Sequence, residues 1–458
     1  MPVALPERPR KLSSIPFERL YLWVALPVGL LFVFFNPPFG GVPDELQHYY
    51  KALAIAQGEL GTAASAPREY VELRADLVTS RKEWTAGGNH WPRTDWGRLW
   101  RALTTRPGTE EVAFTHVVGY AYPIAYLPQA LVLRLALLAR APPLLAFFCA
   151  RLATYLCVVL LLHAALRLAP FGRLLFALVA LLPETLQQSA SLSYDALHLG
   201  GLLCFTAYLL ALSQRPAPIT RSEMGVAVGL SLAGTVLKPG YPLMALLVFL
   251  VPRARFRWRA SYWGFTLGTV GVSLLALVLG RVWFSAIATY EAREPGPQIQ
   301  YLLSNPIEFL GVLIRSLFLG FQVLWKGLIF LSGKNSESFP TIVYVFAGLA
   351  GAWLLRNQDE VVRLSAFQRS VLLGTALAQG AFVMLTLYLV NTKVGHDAVT
   401  GLQGRYFLVL VPPLVLSVYK SGFSLRSDWL RRNTELAWLV FSLTLLGCAL
   451  FTIWCSYY

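Results

Sequence analysis

Four short stretches of this sequence carry side chains that could do chemistry. The first, Asn36-Pro37-Pro38-Phe39-Gly40-Gly41-Val42-Pro43-Asp44-Glu45-Leu46-Gln47-His48, places two carboxylates and an imidazole directly after an apolar run. Adjacent carboxylates there suit a general base or a metal ligand. They equally suit the first turn of a helix, where acids cap and solvate. The second stretch, Gln187-Gln188-Ser189-Ala190-Ser191-Leu192-Ser193-Tyr194-Asp195-Ala196-Leu197-His198, is a polar island between apolar runs. Asp195 is either a helix cap or, near a membrane interior, an acid that needs a partner or a task. Pro183-Glu184, just before it, offers a weaker second acid. The third, Leu237-Lys238-Pro239-Gly240-Tyr241-Pro242, breaks a long apolar stretch. Its lysine can meet an anion or simply snorkel to the surface. The fourth, Gln403-Gly404-Arg405-Tyr406-Phe407, sets a cation at a helix start, where the helix dipole disfavours it. That conflict calls for a bound anion or a buried carboxylate, and a guanidinium suits bidentate phosphate contact.

The elements that must position these residues are membrane helices. Of 458 residues, 56% are hydrophobic and 14% charged, and mean hydropathy is +0.55. Soluble proteins carry roughly 25% charged residues. The composition excludes a soluble multi-domain enzyme and a disordered chain. Runs near the length of about 20 residues needed to span a bilayer fall at about 18–36, 144–166, 173–190, 193–213, 223–237, 240–252, 261–283, 340–356, 370–390, 406–420 and 435–455. Three are short or interrupted. The stretches 114–138 and 307–331 could either span or lie at the interface. Charge decides. One set of loops holds Arg167, Arg173, Arg215, Arg221, Arg253, Arg255, Arg257 and Arg259; the opposite set holds Lys238, Arg281 and Arg293. The positive-inside rule places the first set, and the basic N-terminal tail, in the cytoplasm. Both hold only if 114–138 does not cross. Arg356, Arg363 and Arg369, then Lys420, Arg426, Arg431 and Arg432, fall inside only if 307–331 also stays outside. The expectation is an all-α polytopic membrane protein, 1–458 a single domain, with about eleven spans plus outer interfacial helices, N-terminus inside and C-terminus outside. Thirteen spans is the alternative. The run at 18–36 is long, with no small-residue cleavage site after it, so it is expected to remain as a span.

The formal charge of +15, from 39 Lys and Arg against 24 Asp and Glu, then records orientation and not nucleic-acid binding. A large outer loop, 37–143, follows the first span, and a second outer excursion covers 284–339. Trp84, Trp91, Trp96 and Trp100 lie among Arg93, Arg98 and Arg101 in the large loop; indoles stack on sugars and also anchor at interfaces. No phosphate loop, G-x-S-x-G or H-E-x-x-H is present. The five cysteines lie in apolar stretches, without disulfide or metal spacing. No metal or other cofactor is indicated.

The four motifs, in this order and with this topology, resemble those of the bacterial integral membrane family known as domain of unknown function 2142, itself similar to the GT-C glycosyltransferases. The resemblance covers about residues 20–455. It implies a GT-C-like helical bundle in the bacterial inner membrane that takes a sugar from a polyprenyl-phosphate donor and passes it, with inversion, to a hydroxyl on a lipid or glycan acceptor. Asp44 falls at the family's acid after the first span, and Asp195 at the acid of the second outer loop. Two departures stand out: the second loop lacks D-x-D, and few residues follow the last span, so acceptor choice would rest on the loops. The catalytic set is then Asp44 as general base, with Glu45 and Asp195. The substrate-binding set is His48, Lys238, Tyr241, Gln403, Arg405 and Tyr406, with Lys238 and Arg405 on the phosphate. The competing classes are a lipid-linked sugar flippase or other transporter, and a non-catalytic subunit of a cell-envelope complex.

Overall fold

The computed structural model describes residues 16–39, 41–78, 96–116, 121–287, 295–331, 339–356, 364–419 and 433–457. Helix α1 (Phe17–Phe35) stops before Asn36-Pro37-Pro38, because proline supplies no amide to continue it. A cap of small elements follows: α2 (Glu45–Gln57), β1 (Ala63–Pro67), α3 (Arg68–Val78), α4 (Trp96–Thr104), β2 (Glu111–Thr115) and α5 (Leu127–Leu138). The two strands pair antiparallel, Ala64 opposite Phe114. Tyrosines tie the cap together: Tyr49 donates to the Tyr70 carbonyl (3.0 Å), and Tyr70 to that of Ala141 (2.7 Å).

The bundle continues with α6 (Pro143–Leu168), α7 (Arg173–Ala180), α8 (Pro183–Ser189), α9 (Asp195–Gln214) and α10 (Arg221–Leu237). A 3-10 helix, Pro242–Leu250, leads to α11 (Arg259–Ile287), α12 (Pro295–Ser304), α13 (Pro306–Ile329), α14 (Thr341–Arg356) and α15 (Ala366–Asn391). A second 3-10 helix, Gly404–Leu410, opens α16 (Val411–Val418), and α17 (Thr434–Tyr457) follows. Capping boxes start α10 (Thr220 with Glu223) and α15 (Ser365 with Gln368). Helices α1 and α17 run parallel, Phe17 meeting Trp438 and Phe35 meeting Trp454.

Among the described residues seven helices, α1, α6, α9, α11, α13, α15 and α17, are long and apolar enough to cross a membrane. The chain is therefore an all-α multi-pass membrane protein with a small strand pair. The remaining expected spans are irregular. The run 173–190 is two helices, parted before Pro183. Runs 240–252 and 406–420 are wholly or partly 3-10, and α10 and α14 have 17 and 16 residues. Proline and glycine inside these apolar runs explain the breaks. The stretch 114–138 yields only the short α5, whereas 307–331 forms the 24-residue α13. Both halves of α13 touch one end of the bundle: Val312 packs with Tyr388 and Val399, and Gly327 lies against Gly404. At the other end, Ile219 bonds to the Arg255 carbonyl and Arg255 to that of Pro216, joining two arginine-rich loops. Arg369 likewise closes α16 through the carbonyls of Leu416, Ser417 and Tyr419.

Candidate functional site

Asp195 opens α9 and Lys238 ends α10, so the antiparallel pair of helices brings them to one end of the bundle. Each charge suits its helix terminus. Lys238 Nζ donates to Asp195 Oδ1 at 2.8 Å. The ammonium lies 4.4 Å from the ring centre of Tyr406, with Tyr241 at 5.6 Å and Tyr194 at 5.9 Å, all within cation–π range. Tyr241 in turn donates to the Tyr406 carbonyl at 2.8 Å.

Arg405 enters from the start of the second 3-10 helix. Gly404 is packed so closely on Leu324 and Gly327 of α13 that no Cβ fits there, which holds the arginine backbone at the cluster. Arg405 Nη2 donates to Asp44 Oδ2 at 2.8 Å, and Nε stands 3.6 Å from Asp195 Oδ2. The result is an alternating chain, Lys238, Asp195, Arg405 and Asp44, drawn from four segments. Its formal charges cancel. Lys238 and Arg405, expected as two cations facing an anionic carrier, are thus paired with carboxylates. This is the carboxylate alternative that the Arg405 conflict allowed.

The burial within this chain is uneven. The Arg405 side chain is 6% exposed and that of Asp44 53%. Among the described residues, Arg405 Nε and Nη1 have no hydrogen-bond partner. Asp44 takes a positive φ of 62° at the N-cap of α2, where its carbonyl receives the amides of Gln47 and His48. It is the carboxylate that incoming molecules can reach.

His48, one turn further, pairs Nδ1 with the Tyr126 hydroxyl at 2.7 Å and sets its ring edgewise on Tyr194. Burial pushes its pKa down to about 4, so the imidazole is neutral at pH 7. It offers hydrogen bonds and no cation. Gln403 receives the Tyr406 amide on its carbonyl. His198, behind the cluster, packs its ring tilted against that of Tyr241.

Glu45 departs from expectation. It turns inward to Arg151 of α6, with contacts of 2.7 Å (Nε to Oε1) and 2.5 Å (Nη2 to Oε2), both side chains fully buried. Arg151 also donates to the carbonyls of Val33, Asn36 and Pro37, and Glu45 accepts the Leu192 amide at 3.2 Å. Glu45 thus braces the loops that carry Asp44 and Asp195 and makes no contact with Arg405 or Lys238. Its burial and its pairing with Arg151 set it apart from the Asp44–Arg405 pair. Arg151 was overlooked in the sequence, although a lone arginine inside an apolar run demands a partner. Tyr126 and Tyr194 carried no such signal, since interfacial tyrosines are common. Glu184 accepts the Leu331 amide and lies within electrostatic reach of Arg405.

Among the described residues no three His, Cys, Asp or Glu side chains gather as a metal set. Trp84, Trp91 and Arg93 lie outside the described residues, and Trp96 and Trp100 are exposed on α4.

Residues 26–415 match the family model described as predicted membrane protein (DUF2142). The chain belongs to this family. No curated protein and no solved structure matches it. The matched span takes in all four members of the DUF2142 chain's ionic cluster, Asp44, Asp195, Lys238 and Arg405.

Proposed function

We propose that this protein is an inverting membrane glycosyltransferase of the GT-C kind, working on the outer face of the bacterial inner membrane. The observation that carries this reading is a half-exposed carboxylate, Asp44, set against a buried guanidinium, Arg405, at one end of the bundle. A base and an anion-binding group side by side are what sugar transfer from a phosphate ester requires. Asp44 takes the proton from the acceptor hydroxyl. The acceptor oxygen attacks the anomeric carbon from the face opposite the leaving group. The carbon–oxygen bond to phosphate breaks, and the electron pair leaves with the prenyl phosphate. Arg405 and Lys238 stabilise that charge. Asp195, held by both cations, keeps them in place, and neutral His48 orders hydroxyls beside Asp44.

The arginine-rich loops gather at the end opposite the cluster, which supports a cytoplasmic assignment for them and an outer one for the site. In this reading the short and broken helices complete about eleven crossings, with α13 lying along the outer side.

One observation favours a flippase for lipid-linked sugars instead. The broken 173–190 segment buries Glu184, Thr185, Gln187, Gln188 and Ser189, and broken helices with polar groups at membrane depth mark transport paths. Purified protein with a panel of prenyl-phosphate sugars and candidate acceptors separates the two. A transferase forms glycosylated product, and Asp44→Asn lowers kcat by roughly 10²–10⁴-fold. Full turnover by D44N rejects Asp44 as the base; scrambling of the donor across the bilayer without product supports the flippase.

A further inference from the structure

We propose that the Asp44–Arg405 ion pair is a latch that the phosphate ester of the incoming donor opens. The donor as opener and the freed Asp44 as base rest on the transferase reading; the competition of a phosphate with Asp44 for Arg405 does not. Its two halves differ in freedom. Arg405 is buried, its backbone is packed on α13 at Gly404, and the next residue is tied to Tyr241. Asp44 is half exposed, on a loop ahead of α2. When the pair separates, Asp44 is the partner that moves.

The geometry also supplies a reason to separate. Lys238, Asp195, Arg405 and Asp44 sum to zero charge, so an anion approaching the closed cluster gains little. With Asp44 swung away the cluster carries a net positive charge. Arg405 Nε and Nη1 have no hydrogen-bond partner among the described residues, and the guanidinium holds unspent donors for a phosphate, which it binds in forked geometry. Phosphate and Asp44 compete for one guanidinium. Binding of the donor therefore releases the carboxylate to accept a proton, and the base becomes available only when there is a leaving group in place. The empty site keeps its carboxylate engaged, which disfavours attack by stray hydroxyls.

The test is titration calorimetry of the full chain in nanodiscs, with farnesyl phosphate and, separately, inorganic phosphate. Removing the competitor tightens binding: Asp44→Asn binds farnesyl phosphate about fivefold more strongly than the native chain, the equivalent of a modest ion pair. Unchanged or weaker binding overturns the latch, as does no binding by either protein. Asparagine accepts a positive φ, and Asp44→Gly serves as a second variant should D44N misfold. In an R405Q background D44N brings no gain; a gain that persists there is simple repulsion by Asp44 and also overturns the proposal. If R405Q leaves no measurable binding, Arg405 is required as the latch demands, and the first comparison decides. The same D44N gain with inorganic phosphate identifies the phosphate group alone as the key. A gain confined to farnesyl phosphate identifies the lipid-linked ester. Tighter binding by D44N in a protein that transfers no sugar keeps the latch and removes the transferase; unchanged binding in a protein that transfers sugar does the reverse.

Discussion

At His48 the surroundings decide protonation. The ring is buried among Tyr126 and Tyr194, and its pKa falls to about 4. The unfolded chain takes up that proton near 6.5. Above pH 6.5 both states are neutral and the residue adds no pH dependence. As pH falls from 6.5 toward 4 the unfolded state gains the proton first, so stability declines, by about 3 kcal/mol at pH 4. His116, also pushed down to about 4 by burial, acts in the same direction. Thermal unfolding between pH 7 and 4 reads this out, and His48→Gln flattens the slope. A slope unchanged in that variant would mean that the imidazole is charged in the fold. At this scale much was legible. Asp195, Lys238 and Arg405 each broke the local hydropathy or dipole pattern, and Asp44 stood in an acidic pair directly after an apolar run; those are signals a sequence carries. Their pairing was not, because Asp44 and Arg405 are 361 residues apart. Glu45 parts from its neighbour because Asp44 is the left-handed N-cap and Glu45 the first helical residue of α2: the first side chain is half exposed and the second fully buried.

Between elements, the Arg151–Glu45 brace links α6 to the end of α1, the start of α2 and the Leu192 loop. Both side chains are fully buried. Removing one leaves a bare charge at a cost of about 3–5 kcal/mol, whereas removing both is far milder. Arg151→Met is therefore expected to melt well below the native protein, and adding Glu45→Met to recover part of the loss. A double variant that loses the sum of the two single losses would show that the two side chains are energetically independent. Hydropathy found the regular helices α1, α6, α9, α15 and α17 to within a few residues. It marked three runs as short or interrupted without giving their form, because an apolar run states that a segment is buried, not that it is one straight helix. Pro183, Pro242 and Pro412-Pro413 fall where the runs break or change helix type.

Over the whole molecule, the alternation of helices puts the arginine-rich loops at one end and the ionic cluster at the other. Orientation follows as a prediction. A cysteine at Arg257, in a background freed of exposed Cys149 and Cys455, is expected to react in intact cells with a membrane-permeant reagent and to resist an impermeant one. Labelling from outside would invert the topology. The same long-range assembly has a consequence for synthesis. At about 5–20 residues per second, a ribosome releases Asp44 roughly 20–70 seconds before Arg405, given the 361 residues between them. Asp195 and Lys238, only 43 apart, can pair early. The nascent chain thus inserts with half of its ionic cluster formed and Asp44 still waiting, and the cluster is complete only when Arg405 has been threaded into place.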